Sequence, residues 1–515
     1  MQLKENSRKF ILIHPILIAF FPVFLVYYQN IHLLHLQGLI FPTLIILSVA
    51  ISLWYGIKII LKNTIKSALL SSLYTFLFFS YGHIFIMIES NLNQEFLVLI
   101  HVVLLISYTI FVAVGTYYIV KTSRKLNDAT KIANVMSITA LAFIFLNIGI
   151  YNFENTYNNL QEENPNPIIL GSDFKNTPDV YYIILDEYAP LKTLDEFYDY
   201  DNSEFVKFLE ERGFYVTKNS HSNYAQTSTS LASTLNMKYL NHLSEAIENE
   251  SKDHGILYQM LDNNLVMKNF KAAGYQIYNI NSGTWSTGNL NIADENLCSK
   301  NQNVDFRTLY QLKQTSVLRA FDIFLKEPTS QIFHQEHRDR ILCQFDEITK
   351  IKQITKEPVF IFMHVISPHE PFIFGPNGEE VTYKDTIEPN EEIKAYGDQV
   401  IYLTKILQQT IDKIIENSDS PPIIIIQSDT GPSIGFADIT KEKQRIGRMS
   451  IFNAYYFPNN DYNLLYNDIT PVNSFRIVFD SQFQTNYNLL EDKVFFSTYE
   501  KLYTFIEITD FSIVR

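Results

Sequence analysis

At 515 residues the chain is too long for one compact core, and a formal net charge of −14 argues against nucleic acid as its main partner. The total hides an asymmetry: residues 1–150 carry ten Lys and Arg against four Asp and Glu, a balance of +6, while the other 31 basic and 51 acidic residues leave −20. A basic front and an acidic back imply two units with different surroundings.

Five apolar segments come first, at residues 10–28, 39–57, 68–88, 96–120 and 133–151, each near the roughly 20 residues a helix needs to cross a bilayer. None has an acidic or basic residue at its centre. The first is long, rich in Phe and Tyr and followed by four more, so it reads as a retained span and not a cleavable signal peptide. Lys4, Arg8 and Lys9 precede span one, Lys58, Lys62 and Lys66 separate spans two and three, and Lys121, Arg124, Lys125 and Lys131 separate spans four and five. The alternate loops, "QNIHLLHLQG" and "ESNLNQE", have no Lys or Arg. The positive-inside rule therefore predicts a cytoplasmic N-terminus, and an odd number of spans puts everything after Tyr151 on the outer face. His14, His32, His35, His83 and His101 fall in or beside spans; without acidic or basic partners there, they read as neutral, hydrogen-bonded residues and not as a transport path. This predicts a multi-pass cell-membrane protein, residues 1–152, with a linker at 153–177.

From residue 178 to 515 the pattern changes. Buried-type runs "VYYIILDE", "YQIYNIN", "VFIFMHVIS" and "PPIIIIQSD" alternate with stretches of helical period, which predicts an α/β unit with a mostly parallel central sheet, on the extracytoplasmic side. Cys298 and Cys343 are the only cysteines, and the outer face permits a disulfide; their spacing leaves a bridge and two buried thiols both open.

In open α/β sheets the ligand-binding groups sit where strands end. That edge collects Asp186 and Glu187, Asn281 and Ser282, His364 through His369, and Asp429 and Thr430. Each has an ordinary alternative: a carboxylate after a strand often caps the next helix, Thr227 and Ser228 in "QTSTSLAST" open a helix as caps do, and His364 fits a satisfied core histidine. Convergence favours function, because two acids at one edge are costly without a cation or a shared proton. Gly431 reads as freedom for the loop to turn.

The stretches "PDVYYIILDEY", "FLEERGFYVTKNSHSNYAQTSTSLASTLNM", "HVISPHEPFIF", "IIIIQSDTG" and "RMSIFNAYYFP" resemble the sulfatase-like branch of the alkaline phosphatase superfamily, near the membrane-bound lipoteichoic acid synthases and phosphoglycerol transferases. The resemblance implies one divalent metal held by Asp186, by the nucleophile Thr227 and by Asp429, with His369 on the substrate side of the pocket, His364 beside it and Trp285 as a loosely matching aromatic contact. Where the family has Asp-His, this chain has Asp429-Thr430, so the implied ligands are all oxygen. Such a set, with the Thr430 hydroxyl as a poor fourth donor, suits Mn²⁺ or Mg²⁺ better than Zn²⁺ or Ca²⁺, bound weakly or absent. Formylglycine sulfatases need Cys or Ser in a Cys/Ser-x-Pro-x-Arg setting, which neither cysteine nor "QTSTSLAST" offers. Two readings follow. One is a membrane-anchored hydrolase or transferase acting on phosphodiesters of lipid-linked or envelope glycans through Thr227; the other is a silent relative that binds an envelope polymer or partner, favoured by Thr430.

Overall fold

The computed structural model describes residues 11–31, 34, 36–89, 96–161, 177–247, 251–299, 306–321, 328–381, 388–434 and 441–511. The chain divides into two compact units: residues 1–163 with 301–328, and residues 164–300 with 329–515.

The first unit is helical: α1 (His14–Gln29), α2 (Ile40–Leu61), α3 (Thr64–Glu89), α4 (Leu97–Lys121) and α5 (Asn127–Gln161). Four of these, α2 to α5, are long and apolar enough to cross a membrane. The first predicted span is shorter within the described residues: α1 has 16 residues and starts with Pro15 in its first turn, where a missing N–H costs nothing. At the other end α5 runs on to Gln161, into the predicted linker. Large side chains such as Ile60, Phe111 and Leu146 stay exposed on these helices, while small polar ones turn inward. His14 Nδ1 meets Ser72 Oγ at 2.6 Å, and His101 Nδ1 meets the Tyr81 hydroxyl at 2.8 Å, so both are hydrogen-bonded as the sequence implies, although His14 Nε2 has no partner among the described residues. Residues 301–328, which the sequence places inside the α/β region, group with these helices.

The second unit carries a seven-stranded sheet in the order β2-β7-β6-β1-β5-β3-β4. Its strands are β1 (Val180–Leu185), β2 (Tyr215–Val216), β3 (Gln276–Ile280), β4 (Glu295–Leu297), β5 (Val359–Val365), β6 (Ile423–Ser428) and β7 (Asn453–Tyr456); a hairpin of β8 (Val494–Thr498) and β9 (Lys501–Ile508) is separate. Central β1 runs parallel to both β5 and β6, and only β7, next to the edge strand β2, runs against the other strands. Every residue of β1, β5 and β6 is buried, because both faces are covered. Tyr182, Ile184, Phe362 and Ile425 pack against the Thr227–Asn236 and Pro471–Phe483 helices. Tyr181, Ile183, Leu185 and Ile426 pack against Pro328–Glu347 and Pro389–Asn417.

Of the two cysteine readings, the bridge is the one observed. Cys298 and Cys343 form a disulfide with Cα atoms 5.9 Å apart. It joins the chain on either side of the 301–328 segment, at points that both belong to the α/β unit.

Candidate active site

Register sets the site. Leu185 pairs with Val365 on one side and Ser428 on the other, so β1, β5 and β6 end level, and the residues that follow share one edge. Asp186 and Asp429 leave the sheet there, and His364 is the penultimate residue of β5, paired with Ile184. Ligand atoms of Asp186, His364 and Asp429 lie within 4.8 Å of one another, with His364 Nε2 3.9 Å from Asp186 Oδ2. All three side chains are buried.

Four polar atoms at this edge are buried and have no hydrogen-bond partner among the described residues: Asp186 Oδ1, His364 Nε2, Asp429 Oδ2 and the Thr430 hydroxyl. Orphaned groups of this kind are rare in native proteins and call for an ion or a ligand. Burial, and after it the charge of Asp429, push the Asp186 carboxyl well above the usual carboxylate range. Burial lowers His364 to about 4, so its imidazole is neutral at physiological pH, the form that binds metals. The Thr287 hydroxyl donates to Ser282 Oγ at 2.8 Å and meets His364 Nδ1 at 2.7 Å. With its one proton on Ser282, Thr287 accepts from Nδ1–H, which leaves the Nε2 lone pair facing the carboxylates. The residues fit a divalent cation.

His364, expected on the substrate side, thus lies with Asp186 and Asp429 in a group that could hold an ion. Glu187, the neighbour of Asp186, does not join it. Its backbone is left-handed, at φ +63°, and its carboxylate accepts from the Ser433 N–H and hydroxyl at 3.1 and 3.0 Å and pairs with Arg448. Asp186 is not a helix cap, since the next helix, Leu191–Tyr198, has Pro190 at its cap position.

Thr227 is the first residue of the Thr227–Asn236 helix and is half-buried. The cap position is Gln226, and the Thr227 hydroxyl has no hydrogen bond among the described residues, so it is not spent on capping. One turn in, Ser230 Oγ donates to the Asp429 carbonyl at 2.7 Å, which ties the start of this helix to the end of β6. Ser228, beside Thr227, is engaged with His254 Nδ1 at 2.8 Å.

His369 lies beyond β5, with Nε2 3.8 Å from Glu187 Oε1 and its backbone N–H donating to the Asp186 carbonyl at 3.2 Å. Burial opposes its charged form, but the carboxylates of Asp186 and Glu187 outweigh that and raise it to about 9. Trp285 is half-buried in the loop between β3 and β4, two residues before the Thr287 that orients His364.

Gly431 serves close approach and not loop freedom. A Cβ there would stand 2.1 Å from the Gly447 carbonyl, and its N–H donates to the Arg448 carbonyl at 2.7 Å.

Arg448 is absent from the sequence-based site. In the last turn of Lys441–Met449 it looks like an ordinary basic helix end. In the fold its Nη1 pairs with Glu187 and donates to the Gly431 carbonyl at 2.8 Å, while Nε donates to the Ala225 carbonyl at 3.0 Å. One guanidinium thus joins the loops that bear Asp186, Asp429 and Thr227. Burial works against its charge, but Glu187, Asp429 and Asp186 raise its pKa on balance. Arg448→Met takes the closest cation from the buried Glu187 carboxylate, leaving only His369 at 3.8 Å, and should destabilise the α/β unit by about 3–5 kcal/mol. Urea unfolding followed by tryptophan fluorescence checks this; a loss under about 1 kcal/mol would show that the pair is not the clamp.

Fold and edge together define a class, a sulfatase-fold enzyme of the alkaline phosphatase superfamily preceded by long apolar helices. The family model described as Sulfatase matches residues 195–488, more than half of the chain, and the chain belongs to that family. Among solved structures it is similar to the C-terminal periplasmic domain of EptC from Escherichia coli, at 13% identity over 64% of this chain and 93% of that one, with a TM-score of 0.41. It is also similar to the integral membrane lipooligosaccharide phosphoethanolamine transferase A from Neisseria meningitidis, at 14% identity over 90% and 94% of the two chains, with a TM-score of 0.38. No curated protein matches it.

Proposed function

We propose that this protein is a membrane-anchored, divalent-metal-dependent phosphotransferase or phosphodiesterase. Its substrates are phosphodiester groups, of phosphoglycerol or phosphoethanolamine type, on lipid-linked or cell-envelope glycans. The observation that carries the reading is the cluster of Asp186, His364 and Asp429, with unpartnered ligand atoms, at the edge where the Thr227 helix begins.

Asp186, Asp429 and His364 would hold the cation, with Thr430 and Thr227 as neutral oxygen donors. One imidazole in the set moves the preference towards Mn²⁺ and Zn²⁺ and away from Mg²⁺ and Ca²⁺. When bound, such an ion would favour the Thr227 alkoxide and draw charge from the phosphoryl oxygens. Thr227 attacks phosphorus from the first turn of its helix, whose free N–H groups favour anions. As the bond to the leaving alkoxide breaks, protonated His369 supplies its proton. A second hydroxyl or water then takes the phosphoryl group from Thr227 as His369 accepts a proton back. The silent alternative rested on the missing imidazole at position 430, and His364 in the cluster favours the catalytic reading.

The test uses full-length protein loaded with Mn²⁺ in lipid nanodiscs, assayed against bis-p-nitrophenyl phosphate and p-nitrophenyl sulfate. Turnover of the phosphodiester and not the sulfate is expected; metal-loaded protein that turns over neither, or only the sulfate, overturns the proposal.

We also place the α/β unit outside the cytoplasm, from the confinement of Lys and Arg to alternate loops. Protease added to intact spheroplasts should cleave beyond about residue 155; cleavage only after lysis would reverse the topology.

A further inference from the structure

The 301–328 segment creates a second site. Its helix, Phe306–Gln314, and the short turn Val317–Ala320 pack on α1 and α3. The docking is built in. The Gly82 N–H of α3 donates to the Thr315 carbonyl at 3.0 Å, and a Cβ at Gly82 would stand 2.1 Å from the Gln314 carbonyl oxygen. Arg319 pairs with Glu89 at 2.7 Å, with its guanidinium carbon 4.4 Å from the centre of the Phe85 ring.

Between this segment, α2 and α3 lies a cavity of about 420 Å³, within the size range of ligand pockets. Ile46 and Ala50 of α2, Phe78 and Phe79 of α3, and Leu312 give it an apolar wall, and Lys313 is the charged residue in its lining. Phe79 is ten residues from Glu89 at the end of α3, roughly 15 Å along a helix and so about the depth of one bilayer leaflet. Ile46 and Ala50 lie in the first half of α2, a helix that buries Pro42 and Ala50 and leaves large side chains such as Ile45, Val49 and Ile59 exposed. What surrounds that surface in a membrane is acyl chain, and Lys313 is the charge in the lining that a lipid phosphate would meet.

We propose that this cavity binds a glycerophospholipid, with one acyl chain between α2, α3 and the Phe306–Gln314 helix and its phosphate at Lys313. The proposal rests on the membrane-anchored reading and is independent of the chemistry at the sheet edge.

The experiment uses full-length protein in phosphatidylcholine nanodiscs doped with phosphatidylglycerol that carries a diazirine at the end of one acyl chain. After irradiation, labelled peptides are identified by mass spectrometry. Labelling should be severalfold stronger in residues 42–53, 74–79 and 309–318 than along the exposed side of α4. Ala50→Trp, which fills the cavity, should bring those peptides down to the α4 level. Lys313→Gln should lower labelling by phosphatidylglycerol and leave labelling by a diazirine diacylglycerol unchanged. Thr75→Phe repeats the filling from α3 should Ala50→Trp fail to fold. Equal labelling of cavity and α4, untouched by either filling variant, would mean bulk lipid only and overturn the proposal. Labelling needs no turnover, so an inactive protein that labels keeps this site, and an active one that does not label removes it alone.

Discussion

His364→Ala should weaken Mn²⁺ binding by more than the roughly 10–100-fold that follows loss of an outer hydrogen-bond partner. The imidazole is the cluster's nitrogen donor, its ring is fully buried, and Thr287 holds the tautomer that leaves Nε2 open. Thr287→Val removes only that outer partner and should stay within the 10–100-fold range, so the two variants rank ligand above support. Calorimetric titration of the metal-free full-length protein reads both. Adding Thr430→His to His364→Ala should recover part of the affinity, because the deleted ring leaves room beside Asp429 for an imidazole from the next position. In the native background the same substitution puts a second ring at a fully buried residue and should overpack the site instead. Native affinity in His364→Ala would mean that His364 is a core histidine and that the ion, if bound, takes oxygen donors alone.

Thr227→Ala should lower turnover of a phosphodiester by at least on the order of 10²–10³, with metal affinity reduced far less than by His364→Ala and thermal stability nearly unchanged. Stability should hold because the hydroxyl makes no hydrogen bond among the described residues and is not the helix cap. Acid quenching during turnover, followed by peptide mass spectrometry, should find the phosphoryl adduct on Thr227 in the native protein. The neighbouring alternative is specific: Ser228 has an imidazole 2.8 Å from its hydroxyl. Undiminished turnover in Thr227→Ala, with the adduct on Ser228, would transfer the role to that pair. Undiminished turnover with no adduct would point to water as the nucleophile.

Most of the architecture was legible in the chain because it depends on local composition. The long apolar helices announce themselves by length and apolarity, and α2, α3 and α4 lie within a few residues of the segments read from sequence. Four of the five internal strands, β1, β3, β5 and β6, are visible as runs apolar on both faces, a pattern that only a doubly covered sheet satisfies, and the carboxylates after β1 and β6 mark the functional edge. The short edge strands β2 and β4 and the return of residues 301–328 to the helical unit have no such local mark.

What tertiary structure alone decided is which side chains complete the edge. Asp429-Thr430 reads as a broken metal pair because the sequence shows only neighbours along the chain, whereas the imidazole comes from β5, 65 residues earlier and brought level by strand register. Glu187 and His364 were equally available on paper. Arg448 and Ser433 claim the first, and Thr287 aims the second, choices made by hydrogen bonds that no spacing encodes. Arg448 opens the matching stretch "RMSIFNAYYFP", but nothing in that stretch marks its role, since its partners are the backbones and carboxylate of three separate loops. Composition and period determine which elements form and which face they bury; the chemistry at the junction depends on the unsatisfied polar atoms that register brings together, and that is a property of the folded chain.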